Sequence, residues 1–143
     1  MTSNSLILIP MLLLIAWSMF MWIWMYATRI PAIQAVNMKL DPEAPNGQQM
    51  SSLPAKVRWK ADNYTHLMEQ PTIFYALIVT CVLLGEVNDM NIYLAWAYVL
   101  LRIIHSLVQA LVNIIELRFA IFVFSNIPLF WLTLNNLTTV IIF

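Results

Sequence analysis

Charge is scarce in this sequence. Seven of its 143 residues are Lys or Arg and seven are Asp or Glu, 10% in all, and the formal net charge is zero. A soluble domain carries about 25% charged residues, so this chain has too few to cover a water-facing surface. The even balance of sign also argues against a nucleic-acid binder, which needs a basic face to displace counterions. Cysteine is limited to Cys81. That excludes an intramolecular disulfide and any cysteine-based zinc cluster. Two glycines leave no phosphate-cradling loop of the Walker or Rossmann kind. The chain also has no internal repeat and no low-complexity segment.

What it has is apolar length: 62% of its residues are hydrophobic. Residues 1–28, 70–85 and 119–143 contain no Lys, Arg, Asp or Glu, and between 90 and 115 the only charge is Arg102. A membrane-crossing helix needs roughly 20 mostly apolar residues. The pattern therefore predicts an all-α, integral membrane four-helix bundle, one domain over residues 1–143, with spans at about 5–28, 62–86, 91–115 and 119–142. A secretory signal peptide is the other reading of the first span. It needs a basic start and a short apolar run. Residues 1–5 have no base, the run from Leu6 to Ala27 is too long, and Trp22, Trp24 and Tyr26 close it as an interfacial belt would.

The loop over 29–60 holds Pro31, Pro42, Pro45 and Pro54, an Asn46-Gly47 turn signal, and five of the seven bases: Arg29, Lys39, Lys56, Arg58 and Lys60. Loop 86–91 holds two acids, Glu86 and Asp89, and no base. The positive-inside rule places loop 29–60 in the cytoplasm and both termini on the opposite side.

Polar side chains inside a membrane are costly and point to function. On the third span Arg102, His105, Gln109, Asn113 and Glu116 follow spacings of 3, 4, 4 and 3, which gathers them within an arc of about 80°. On the second span Arg58, Asp62, Thr65, Glu69 and Thr72 share a face bordered by His66. Helix rise brings Glu69 and His105 to one depth with Arg102 a turn deeper, so Glu69–Arg102 is the expected buried pair. Pro71 cannot donate a backbone N–H, which predicts a kink just above Glu69. The bland reading of Gln109 and Asn113 is interhelical hydrogen bonding. That of Arg118 is a helix-end cation reaching the headgroups, paired with Glu116. A metal site from Glu69, His66 and His105 is disfavoured, since zinc wants three or four clustered ligands. Ser106 is no better as a nucleophile, because its neighbour His105 points about 100° away.

The stretch from Arg58 to Phe74, ending in Glu69-Gln-Pro71-Thr-Ile-Phe74, resembles the signature of the MAPEG family, the membrane-associated proteins in eicosanoid and glutathione metabolism. Arg102-Ile-Ile-His105 resembles the family's Arg-x-x-His, and Ile115-Glu-Leu-Arg118 resembles its basic residue opening the fourth helix. The wording Asp62-Asn-Tyr-x-His-Leu-Met-Glu69-Gln-Pro71 looks most like a bacterial branch. The resemblance implies a homotrimer in the lipid bilayer, here a bacterial inner membrane, and the charge balance leaves no nucleic-acid partner. It implies glutathione as cosubstrate and a glutathione-dependent transferase or peroxidase acting on a lipophilic small molecule, with no metal, as the ligand spacing already expects. Carried over residue by residue, Arg118 would be catalytic and would activate the thiol. Glu69, His66, Asn63, Arg102, His105, Gln109, Arg58 and Lys39 would be the binding residues. The sequence departs from the family where His66, Gln109, Phe119 and Phe122 replace polar or tyrosine contacts. A non-catalytic binding or assembly protein on the same bundle is the competing reading.

The loop charges yield a direct test of topology. A reporter fused after Phe143 is expected to score as non-cytoplasmic; a cytoplasmic score would invert the arrangement.

Overall fold

The computed structural model describes residues 3–142. The chain order is α1 (Ser3–Ala35), α2 (Gln48–Ser51), α3 (Ala55–Glu69), α4 (Pro71–Leu83), α5 (Asp89–Leu111) and α6 (Ile115–Ile142). Four segments are long and apolar enough to cross a membrane: Ser5–Ala35, Ala55–Leu83 (α3 and α4 in line), Asp89–Leu111 and Ile115–Ile142. The fold is thus all-helical with four membrane-crossing segments. In α1, which is apolar all round, the bundle selects one stripe: Ile7, Leu14, Ser18, Met21 and Met25 are buried, and their spacings of three, four and seven are those of a helix seam. This stripe joins Phe74, Ile78, Ala95, Tyr98 and Val99 in the core. Phe74 stacks on Tyr98 with ring centroids 4.6 Å apart.

The helix ends differ from the sequence expectation for local reasons. α1 runs on to Ala35 through Pro31, because a proline missing one backbone bond is tolerated in a membrane helix. It stops at Asn37, which has φ 47. There Met38 N–H donates to Ile33 O at 3.2 Å, a left-handed cap with asparagine in the usual glycine position. Gly85, with φ 72, ends α4 the same way, Glu86 N–H donating to Cys81 O at 2.9 Å. The expected Pro71 kink appears as a break between α3 and α4 at Gln70, whose own backbone stays in the right-handed helical region. α5 starts at the Asn88 cap, whose side chain accepts from Asn91 N–H at 2.9 Å. It ends at Leu111 rather than near 115, so Asn113 lies in a turn with φ 55 and Glu116 belongs to α6. The five-residue polar stripe expected on the third span is therefore three residues long: Arg102, His105 and Gln109.

Asparagines fasten the four segments together. Asn91 Nδ2 donates to Glu86 O at 2.8 Å, and Asn135 Nδ2 donates to Asn91 Oδ1 at 2.7 Å, tying α6 to α5. Asn136 Nδ2 donates to Leu77 O at 3.3 Å, and Cys81 Sγ donates to Asn136 Oδ1 at 3.1 Å, tying α6 to α4. Gln70 Nε2 donates to Asn126 Oδ1 at the helix interruption. Asn63 Nδ2 donates to Ser106 Oγ at 2.7 Å, and Trp17 Nε1 donates to the same hydroxyl at 2.9 Å, joining α3, α5 and α1.

Asn91 is fully buried and serves two of these bonds. Asn91→Ala is expected to destabilise the bundle by about 1–2 kcal/mol, the cost of stranding partners in an apolar interior. Asn135→Ala should cost less, since Asn135 is only half-buried. Thermal melts in detergent check this, and an unshifted Asn91→Ala midpoint would remove the bond from the list of ties.

Candidate functional site

Where α5 turns into α6, three helices converge on a cavity. α5 delivers His105 and Gln109 on one face, four residues apart. α3 delivers His66, and the first two turns of α6 deliver Ile115, Arg118, Phe119 and Phe122. These seven residues line about 300 Å³. Three rings form the inner wall: His66 and His105 have centroids 5.1 Å apart, His66 and Phe122 5.2 Å, and His105 and Phe122 6.1 Å. Phe119 at the mouth is exposed.

Arg102 sits behind that wall and is fully buried. Its Nη2 donates to His66 O at 3.1 Å, and Cζ lies 5.4 Å from the Phe122 ring centroid. Nε and Nη1 have no hydrogen-bond partner among the described residues. The expected Glu69–Arg102 ion pair is not formed. Glu69 instead meets His66, Oε2 to Nδ1 at 3.0 Å, with the carboxylate side chain 61% exposed. The reason lies in the helix face. The buried face of α3 is Lys60, Asn63 and Leu67, and Glu69 is about 200° round from Leu67. Residue count put Arg102 within a turn of Glu69 in depth, but Glu69 points away from the bundle. His66 O and the aromatic faces of Tyr98 and Phe122 surround the guanidinium instead.

Arg118, half-buried, donates from Nη1 to Asn113 Oδ1 at 2.7 Å. Its partner is this turn asparagine rather than Glu116. Gln109 is buried, and its Oε1 is unpartnered among the described residues. Of the residues the sequence singles out, His66, His105, Gln109 and Arg118 meet in the cavity, with Arg102 behind them. Asn63 is buried in the Ser106–Trp17 cluster. Arg58 lines a separate cleft with Arg29 and Asp62. Lys39 lies in the first loop, where its carbonyl accepts from Gln49 Nε2 at 2.8 Å. The role of Ser106 as the acceptor shared by α1 and α3 was invisible in sequence, since nothing local marks which hydroxyl a distant Trp or Asn will reach. Among the described residues no group of three or more His, Cys, Asp or Glu side chains is placed to hold a metal ion.

The geometry predicts weak coupling between Glu69 and Arg102. In a cycle of Glu69→Gln and Arg102→Met, the interaction energy should fall below about 0.5 kcal/mol, the level of an exposed pair. A coupling of about 2 kcal/mol or more would restore the buried ion pair.

Residues 7–138, nearly the whole chain, match the MAPEG family. No curated protein and no solved structure matches it. Four membrane-crossing segments in one bundle and a polar cluster confined to one end accompany that match. The chain is an integral, multi-pass membrane protein and belongs to the MAPEG family, the membrane-associated proteins of eicosanoid and glutathione metabolism.

Proposed function

We propose that this protein is a glutathione-dependent transferase or peroxidase acting on lipophilic electrophiles, working as a homotrimer with the α5–α6 turn on the cytoplasmic side. The observation that carries this reading is the cavity in which the Arg118 guanidinium faces two histidines, Gln109 and a phenylalanine wall. The residues suit an anionic tripeptide. Arg118 offers donors for a negative charge, and Gln109 Oε1 is a buried acceptor with no donor among the described residues. Arg102, a buried cation with two unused donor nitrogens, makes the inner wall electropositive. At about 300 Å³ the cavity is at the small end for a ligand site, which fits a site completed by a neighbouring subunit.

Glutathione, when bound, supplies a thiol as the nucleophile. A free thiol has a pKa near 8.5 and is only a few per cent ionised at neutral pH. An always-charged guanidinium in a partly dry site favours the ionised form, and Arg118 is placed to do this. Phe119 and Phe122 exclude water and present an apolar surface to a second substrate arriving from the bilayer.

Subunit association draws support from the outer face of α3. Glu69 and Thr72 are exposed on the single chain although they lie well inside a membrane-crossing segment. A carboxylate facing lipid there is costly, and a protein neighbour removes the cost. Asn126, Asn135 and Asn136 do not contribute to this argument, because each finds its partner within the chain.

The Arg118–Asn113 bond favours a second reading, in which Arg118 only fastens the α5–α6 turn and the bundle is a non-catalytic binding or assembly protein. Thiolate absorbance separates the two. On adding glutathione to the wild type, a thiolate difference band is expected, reduced about tenfold or more in Arg118→Ala, equivalent to roughly 1.4 kcal/mol of lost charge stabilisation. Bands of equal size, or none in either protein, would favour the second reading.

A further inference from the structure

A second polar cleft opens at the same end of the bundle, on a different face of α3. Arg58 is about 80° round the helix from His66. The cleft encloses about 440 Å³ between the end of α1, the first loop and the start of α3. Arg29 enters from α1. Arg58, Asp62 and Thr65 enter from α3, and Asn46 and Ser51 close the loop side. Neither Arg29 nor Arg58 makes a side-chain hydrogen bond or ion pair among the described residues. Asp62 shares the cleft yet lies beyond ion-pair distance of both, so two free guanidinium groups face one carboxylate and the local charge is positive.

The same helix that brings Arg29 to the cleft carries on its outer face an apolar groove of about 600 Å³, lined by Trp22, Ile23, Tyr26, Ala27, Ile30 and Pro31. Its upper rim, Ile30 and Pro31, is the turn of α1 that carries Arg29. Trp22 and Tyr26 stand on the turns beneath, within about 20–60° of Arg29 around the helix. Their rings meet edge-on with centroids 5.3 Å apart. The sequence α1 follows from Trp22 to Arg29 therefore passes from apolar groove, through an aromatic pair suited to the membrane interface, to a forked cation.

We infer that the Arg29–Arg58 cleft and the α1 groove form one binding site for an anionic phospholipid. The phosphodiester lies between the two guanidinium groups and an acyl chain lies along Trp22, Ile23 and Ile30. Guanidinium forks match phosphate oxygens in geometry as well as charge, and basic pockets between membrane helices are where anionic headgroups settle. Neither half suffices alone. The cleft selects the phosphate and the groove selects the chain, so a soluble phosphate ester gains only the first contact.

The test uses the full chain, purified in detergent and stripped of lipid. Phosphatidylglycerol is titrated in and bound lipid is counted by native mass spectrometry. At about 1 kcal/mol per basic residue near the surface, affinity should fall about fivefold in Arg58→Gln and about thirtyfold in Arg29→Gln/Arg58→Gln. Asp62→Asn should tighten binding, because it removes the only negative charge lining the cleft. Phosphatidylglycerol with brominated chains should quench tryptophan fluorescence by a component missing in Trp22→Phe. Glycerol phosphate, which has the charge without the chains, should not displace the lipid at equal concentration. Unchanged affinity in Arg58→Gln, no Trp22-dependent quenching, or displacement by glycerol phosphate would each overturn the proposal, the last reassigning the cleft to a free phosphate ester. Arg58 and Asp62 are exposed, so both single variants keep the fold. Their opposite expected signs decide the matter even where the double variant fails to assemble.

Discussion

Inside a bilayer no water is present to satisfy a polar group, so each one must be answered from within the protein. This constraint organises the bundle. Asn63, Asn91, Asn126, Asn135 and Asn136 all sit on membrane-crossing helices, and each finds a partner on another segment or at its boundary. The apolar seams alone, Leu and Met against Ile and Phe, would pack in several registers at similar energy, because lipid tails are as apolar as they are. The amide pairs single out one register, since sliding a helix by one turn would strand both members of a pair.

Arg102 is the charged group that this constraint leaves least satisfied, and it stands next to the cavity. It is the one charge in α5 beyond the first turn, it is fully buried, and two of its three nitrogens are unanswered among the described residues. A buried cation without a counter-charge is expensive. Its stabilisation comes from a backbone carbonyl and two ring faces, which is less than an ion pair supplies. The positive potential thus projects into the space beyond, where His66, His105 and Phe122 form the wall. A bundle that pays for such a charge at its centre is suited to hold an anion there, and the unpaired Gln109 oxygen beside it offers the complementary acceptor.

The four spans were legible because composition and charge placement alone decide them: an uncharged run of twenty residues has few other homes. The amide seams and the left-handed stop at Asn37 were not, since they depend on which helices meet and at what rotation. The Glu69–Arg102 pairing shows where such reading ends. Depth along a helix follows from residue count, and there the two lie within a turn of each other. Orientation around the axis depends on which face the bundle buries, and α3 buries Lys60, Asn63 and Leu67. Likewise the α5 stripe was traced two residues too far, because the turn that carries Asn113 into a left-handed conformation has no glycine or proline to announce it. The convergence of His66, His105, Gln109 and Arg118 was foreshadowed by spacing within α5 and by family resemblance. That Asn63 and Arg58 lie elsewhere was not.

Two clefts at one end of a membrane bundle place two demands on α3. Its inward edge presents His66 to the α5–α6 cavity, while its outward edge presents Arg58, Asp62 and Thr65 to α1 and the loop. The interruption at Gln70 lies just below both. Pro71 is buried and Gln70, whose backbone stays in the right-handed helical region, is tied to Asn126, so the break is anchored to α6. The same fifteen-residue helix thus carries one residue of each cleft, His66 and Arg58, about two turns apart.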